Sequence, residues 1–177
     1  MSLDASSVQA LGVALASFIA FLIAAFLFLN AWSERIARSM GYAMVFIFLW
    51  AFFGYLYYIP DSIILSQLLR TASILIESLA FMQLIRFAFQ YKSERIPLTD
   101  GEKLLLNAST AAGYLFAFLS ALDLLLGTKL MVGALLGPAK TTLAPEPGPF
   151  FLYLALYAVY AAVIVLAIIM HRAARET

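Results

Sequence analysis

The chain has 177 residues, of which 64% are hydrophobic and 12% charged; the net charge is +1, with one histidine and no cysteine. The charged share is about half that of a soluble domain, too little to build a water-facing surface. Near-neutral charge and dispersed basic residues exclude a bulk electrostatic case for nucleic acid, and the lack of cysteine removes disulfides, thiolate metal sites and cysteine nucleophiles.

Long apolar runs without strand-like alternation satisfy their backbone hydrogen bonds in hydrocarbon as helices rather than as a barrel. Each of five such runs reaches or nearly reaches the roughly 20 residues that cross about 30 Å of hydrocarbon. They lie at about residues 7–30, 42–59, 63–89, 104–126 and 150–170. The expected fold is all-α, a polytopic transmembrane helical bundle of five helices forming a single domain over residues 1–177. Arg35, Arg38, Arg86, Lys92, Arg95, Lys103, Arg172 and Arg175 fall on one side of these segments, Lys129 and Lys140 on the other, and Arg70 within a helix. The asymmetry predicts an N-out, C-in arrangement.

In chain order, the first segment carries no lysine or arginine and is far longer than a secretory h-region, so it reads as a retained helix. Ala16, Ala20 and Ala24 repeat along it at a spacing suited to close helix packing. Residues 32–41 read as a connection, with Trp32 and Tyr42 at the inner interface and Arg35 and Arg38 among the headgroups. The second helix ends at Tyr55, Tyr57 and Tyr58, an expected outer aromatic belt, and turns through Ile59, Pro60, Asp61 and Ser62 into an antiparallel neighbour. The third is expected to run past the membrane into the cytoplasm. Residues 92–103 form the largest cytoplasmic loop, read as a solvated connector or a place for a soluble partner, with Thr99 or Asp100 as a cap for the fourth helix. Residues 127–149 make an outer segment longer than most connections. Its apolar first half and proline-rich second half suggest an interfacial or re-entrant piece followed by an extended strand laid over the bundle, or a lid over an outer cavity.

Charge inside a bilayer is costly and faces protein or water. On the third helix Ser66, Arg70, Ser73 and Glu77 recur at intervals of three or four and share one face. Arg70 and Glu77 are two turns apart, about 10 Å along the axis, so the expected partner of Arg70 is Asp123, near the outer end of the fourth helix. A structural salt bridge is the simplest reading; a proton or solute pathway, a ligand-responsive switch and snorkelling are the alternatives. Ser109, Gly113, Ala117 and Ala121 form a small-residue row for packing within the bundle or between protomers. Tyr153, Tyr157 and Tyr160 form an aromatic face in the outer half of the fifth helix, expected in packing and belt roles. His171, the lone histidine, excludes a bis-histidine haem site within one chain. With no phosphate loop, metal-spaced cluster or nucleophile motif, neither a cofactor nor a catalytic activity is expected.

Trp50 followed by Phe53, Gly54 and Tyr55, the run LIRFAFQY at residues 84–91, and Gly148-Pro149-Phe150 leading into the Tyr153/Tyr157 helix carry a resemblance. In this order they resemble the first five helices of the seven-helix N-terminal membrane sensor region of bacterial histidine kinases. The resemblance implies a signal-input bundle in the bacterial inner membrane, with an outer cavity and a cytoplasmic output. The sequence departs from that family by ending at Thr177 without the remaining two helices, a phospho-accepting histidine domain or an ATP-binding domain. The expectation is therefore a non-catalytic sensor or receptor-like module acting through a separate partner. The alternatives are an accessory subunit of a larger membrane assembly, and a transporter or channel with a polar route from Asp123 through Arg70 and Glu77. Expected partners are membrane lipids and another membrane or cytoplasmic protein, which the loop at residues 92–103 and the tail at residues 172–177 would engage, or a second copy of the chain.

Overall fold

A computed structural model of the chain describes residues 5–31, 33–57, 59, 62–91, 96–133 and 147–175, with side chains from residue 11 onward. Five helices follow one another: α1 (Ala5–Asn30), α2 (Arg35–Leu56), α3 (Ile63–Gln90), α4 (Asp100–Leu126) and α5 (Phe151–Ala174). All five are long and apolar enough to cross a membrane. Among the described residues there is no strand, only an isolated antiparallel bridge between Val132 and Pro147. Below, "inner" is the end that the charge asymmetry assigns to the cytoplasm.

Two helix ends, those of α2 and α5, differ from the sequence expectation, while α4 starts at the cap expected of Thr99. Helix α2 begins at Arg35 rather than near Tyr42. Residues 35–41 contain no proline and a single glycine, so the helix absorbs most of the segment read as a connection, and the arginines project from its first turns. Helix α4 begins at Asp100 because Thr99 caps it. The Thr99 side chain accepts from the Glu102 amide while Glu102 accepts from the Thr99 amide, a reciprocal capping box. Helix α5 extends to Ala174, well past Met170. Helix α3, with 28 residues, is about 42 Å long at 1.5 Å per residue and overshoots the hydrocarbon as expected.

The helices are arranged about α3. Helix α1 packs on α2, α2 on α3, and α3 also on α4 and α5. The interfaces are not alike. Between α3, α4 and α5 lies a core of large side chains, including Ile74, Ile85, Phe89, Phe116, Leu154, Tyr157 and Ile168. The α1–α2 side buries small residues instead, among them Ala20, Ala24, Ala43 and Ala51. Small side chains let backbones approach where lipid supplies little hydrophobic drive. Ala20 and Ala24 do this against α2, whereas Ala16 is exposed.

The row on α4 faces inward. Ser109 and Gly113 are buried, and Ala117 and Ala121 half-buried. A Cβ added at Gly113 would lie 2.8 Å from the Tyr157 hydroxyl and 2.9 Å from Met82 Cβ, so only glycine fits where α3 and α5 both meet α4. Ser109 and Gly113 are thus internal, not a free surface for a second protomer.

Candidate functional site: a charged cluster beneath α1 and α2

The polar stripe of α3 lies against the first two helices in the outer half of the bundle. Ser66 and Ser73 are fully buried, and Arg70 and Glu77 are half-buried. The Ser73 hydroxyl donates to the Trp50 carbonyl at 3.3 Å, linking α3 to α2 through a carbonyl already used inside a helix. Arg70 projects into a cavity of about 290 Å³ with α1 on one wall (Val13, Ala16) and α2 on another (Trp50, Gly54, Tyr57). Its guanidinium carbon lies 6.0 Å from the Tyr57 ring centroid, at the outer limit for attraction between a cation and an aromatic face. Arg70 Nε is buried and has no hydrogen-bond partner among the described residues, nor has the Ser66 hydroxyl. Glu77 lies two turns further in, and the groups that act on its carboxylate are the charge of Arg70 and the Trp50 side chain.

The expected pairing of Arg70 with Asp123 does not occur. Asp123 is 8% exposed and its carboxylate is occupied by its own connecting segment. Oδ1 accepts from the Thr128 hydroxyl at 2.6 Å and the Leu130 amide at 2.6 Å; Oδ2 accepts from the Met131 amide at 2.7 Å and the Val132 amide at 3.0 Å. The physical reason is the turn after α4. Gly127 ends the helix in the left-handed region (φ 65), and Lys129 repeats a positive φ of 60. These two reversals curl successive amides into a nest around the nearest anion. Asp123 also opens onto a different face of α3, beside Gln67 and Thr71, whereas Arg70 faces α1 and α2. The polar route imagined from Asp123 through Arg70 to Glu77 is therefore interrupted by α3 itself.

The nest pins the outer segment. Met131 and Val132 are buried, and the Gly148 and Phe150 amides donate to the carbonyls of Met131 and Leu130 at 3.2 and 3.0 Å. A Cβ on Gly148 would lie 2.5 Å from the Leu130 carbonyl oxygen, so this crossing requires glycine. Met131 and Val132 therefore pack in the core cluster that α4 and α5 share with α3. The remainder of the expected interfacial piece and extended strand, residues 134–146, falls outside the described residues.

At the inner end, Arg172 on the last turns of α5 is completely buried. It donates to the carbonyls of Tyr91 and Ile96 at 3.1 and 3.2 Å and to Glu102 Oε1 at 3.3 Å. One planar guanidinium thus joins the C-terminus of α3, the connecting loop, the N-terminus of α4 and the end of α5, a task suited to its rigid fork of donors. From the sequence Arg172 was placed among the inner-side charges and at the head of the tail, residues 172–177, expected to engage a partner; being buried, its side chain is not available for that. The one available signal was a Thr-x-x-Glu capping pattern whose glutamate retains an acceptor for a neighbouring cation. His171 beside it is exposed.

The tyrosine face also divides. Tyr153 is exposed toward lipid, but Tyr157 is buried and donates to the Ser109 carbonyl at 3.0 Å, and the Tyr160 hydroxyl is 2.6 Å from that of Ser109. These bonds tie α5 to α4, the packing role expected of this face. Tyr57 departs from the expected aromatic belt: it is buried, with Arg70 over its ring. Tyr58 lies outside the described residues.

No protein-family model matches the chain, and neither a curated protein nor a solved structure matches it.

Proposed function

We propose that this protein is a non-catalytic sensor or receptor-like signal-input module of the bacterial inner membrane, acting through a separate partner. The observation that carries the reading is the Arg70 cavity: a charged side chain inside a membrane helix, with a buried donor left unpaired among the described residues, beneath α1, which packs chiefly on α2. Charge within a bilayer is retained at a cost and marks functional positions. An unpaired donor beside an aromatic wall suits a small, mostly apolar ligand carrying one hydrogen-bond acceptor.

The contrast between the two sides of α3 supports a switching role. The α3–α4–α5 unit is fastened at its outer end by Asp123 and at its inner end by Arg172, whereas Ser73 ties the charged stripe to α2 at the Trp50 carbonyl and Ser17 ties α1 to α2 at the Phe48 carbonyl. A ligand that prefers one placement of α1 and α2 would shift its population, and the inner ends of the helices would carry that shift to a cytoplasmic protein. The accessory-subunit reading has less support, because the small-residue row that would serve as its interface is internal at Ser109 and Gly113.

In-cell crosslinking from a photoreactive residue at position 103 tests the proposal, comparing the native chain with Arg70→Gln and Glu77→Gln. The expected result is one cytoplasmic partner whose crosslinking yield shifts severalfold in both variants while chain abundance is unchanged. A fully active chain that remains monomeric and partner-free in mild detergent would overturn it.

A further inference from the structure

A second cavity, of about 300 Å³, opens at the inner end of the bundle between α2, α3 and α4. Arg35 and Arg38 enter it from the first turns of α2, and Arg86 enters from α3, with Ser39, Gln83 and Gln90 adding neutral hydrogen-bonding groups. Among the described residues no acidic side chain lines it. Among the described residues the ion pairs use Lys103 and Arg172, so none of these three arginines is matched by a carboxylate. Arg86 donates to the Tyr114 hydroxyl at 3.3 Å and lies over the Tyr114 ring, 5.6 Å from the guanidinium carbon.

The positive-inside rule accounts for arginines at this face but not for their convergence. Like charges gathered into one concavity repel, and the arrangement is at its lowest energy when an anion occupies it. Guanidinium groups bind phosphate through paired donors. The wall contributed by α4 is apolar at Leu106, and the outward faces of α4 at Leu104, Tyr114 and Phe118 are exposed toward lipid. The cavity thus has a polar inner mouth continuous with a membrane-facing apolar surface, the shape of a phospholipid headgroup with its chains.

We infer that this cavity binds the phosphate headgroup of an anionic inner-leaflet phospholipid, with Arg35, Arg38 and Arg86 as its ligands. Basic pockets between membrane helices on the cytoplasmic side recognise headgroups in this way. Three guanidiniums favour a lipid with two phosphates over one with a single phosphate. The assignment is independent of the Arg70 cavity, which lies at the opposite end of α3.

The test is native mass spectrometry of the full chain, released from mild detergent after addition of cardiolipin, phosphatidylglycerol or phosphatidylcholine at equal concentration, with inorganic phosphate and pyrophosphate as soluble competitors. Retention is expected in the order cardiolipin, phosphatidylglycerol, phosphatidylcholine. Arg35→Gln, Arg38→Gln and Arg86→Gln should each weaken cardiolipin retention about five-fold, with an effect on the order of a hundredfold when combined. Arg175→Gln, which removes an inner charge outside the cavity, should leave retention unchanged. A circular-dichroism melt matching the native chain shows that the triple variant is folded; if it is not, the three single variants carry the test. Equal retention of cardiolipin and phosphatidylcholine, or unchanged retention in the folded variants, would overturn the assignment. Displacement of cardiolipin by millimolar pyrophosphate would also overturn it, in favour of a soluble phosphate ligand.

Discussion

Replacing Asp123 should release the outer segment and leave the Arg70 cluster untouched. Four donors converge on its carboxylate, but they are not equivalent. Thr128 is exposed and Leu130 half-buried, so water can replace much of what Oδ1 supplies them. Met131 and Val132 are 0% and 2% exposed, and their amides have no such recourse. Removing the acceptor of a hydrogen bond to a charged group, so that a buried donor is left unpaired, costs about 1.5–3 kcal/mol. Two buried amides therefore set the loss for Asp123→Ala at about 3–6 kcal/mol. Asp123→Asn retains one acceptor oxygen but turns an amide group toward the other pair of donors, and should lose about 2 kcal/mol. Detergent-titrated unfolding in mixed micelles measures both values, and amide exchange at residues 130–132 locates them. Combining Asp123→Ala with Arg70→Ala should give additive losses within about 0.5 kcal/mol, since the two residues share no partner. A coupling well above that, or a loss for Asp123→Ala below about 1 kcal/mol with native exchange at residues 130–132, would refute the nest as the anchor of the segment.

Gly113→Leu should lower the stability of the isolated chain by several kcal/mol, about the cost of overpacking or more, and leave any self-association constant unchanged at fixed folded concentration; a stable monomer with reduced association would place the row on an outer surface. Arg172→Met should cost about 3 kcal/mol by leaving two carbonyls and the Glu102 carboxylate short of a donor, and Arg172→Lys should recover only part of this, because an ammonium lacks the fork that spans three acceptors. Exchange at residues 96–102 reports the change, and full rescue by lysine would show that charge alone matters. Because the chain has no cysteine, single cysteines at positions 2, 92 and 177 report orientation in intact cells; only the first should react with an impermeant reagent, and external labelling at 92 or 177 defeats the N-out, C-in assignment.

The five helices were legible because each crosses a length set by the bilayer, a constraint that acts on composition alone. Their ends were legible where a side chain marks them, as Thr99 and Glu102 do for α4. They were misread where helix continues without a marker, as from Arg35 to Met40. The polar stripe on α3 follows from helical periodicity, and Ser66, Arg70, Ser73 and Glu77 do share a face toward α1 and α2. What it meets was not legible, because depth along a helix can be counted from sequence but rotation about its axis cannot. Asp123 and Arg70 were matched by depth and are separated by rotation. The roles of Asp123 and Arg172 depend on backbone amides and carbonyls, which every residue possesses, so no side-chain pattern announces them.

The central position of α3 bears on how the chain is made. Of the five helices it is the least apolar, and Arg70 in its outer half and Glu77 at its middle raise the cost of inserting it alone, toward the roughly 2.5–3.5 kcal/mol of a charge at a helix centre. It leaves the ribosome third, after the two helices whose small-residue faces receive its charged side. Helices α1 and α2, standing in the membrane as a hairpin, offer the nascent α3 a partly polar wall at Trp50 and Tyr57 before α4 and α5 arrive to enclose its other face. The order of synthesis is thus the order in which each helix finds a surface able to accept it, and a chain shortened by its first hairpin would present α3 to lipid with its arginine uncovered.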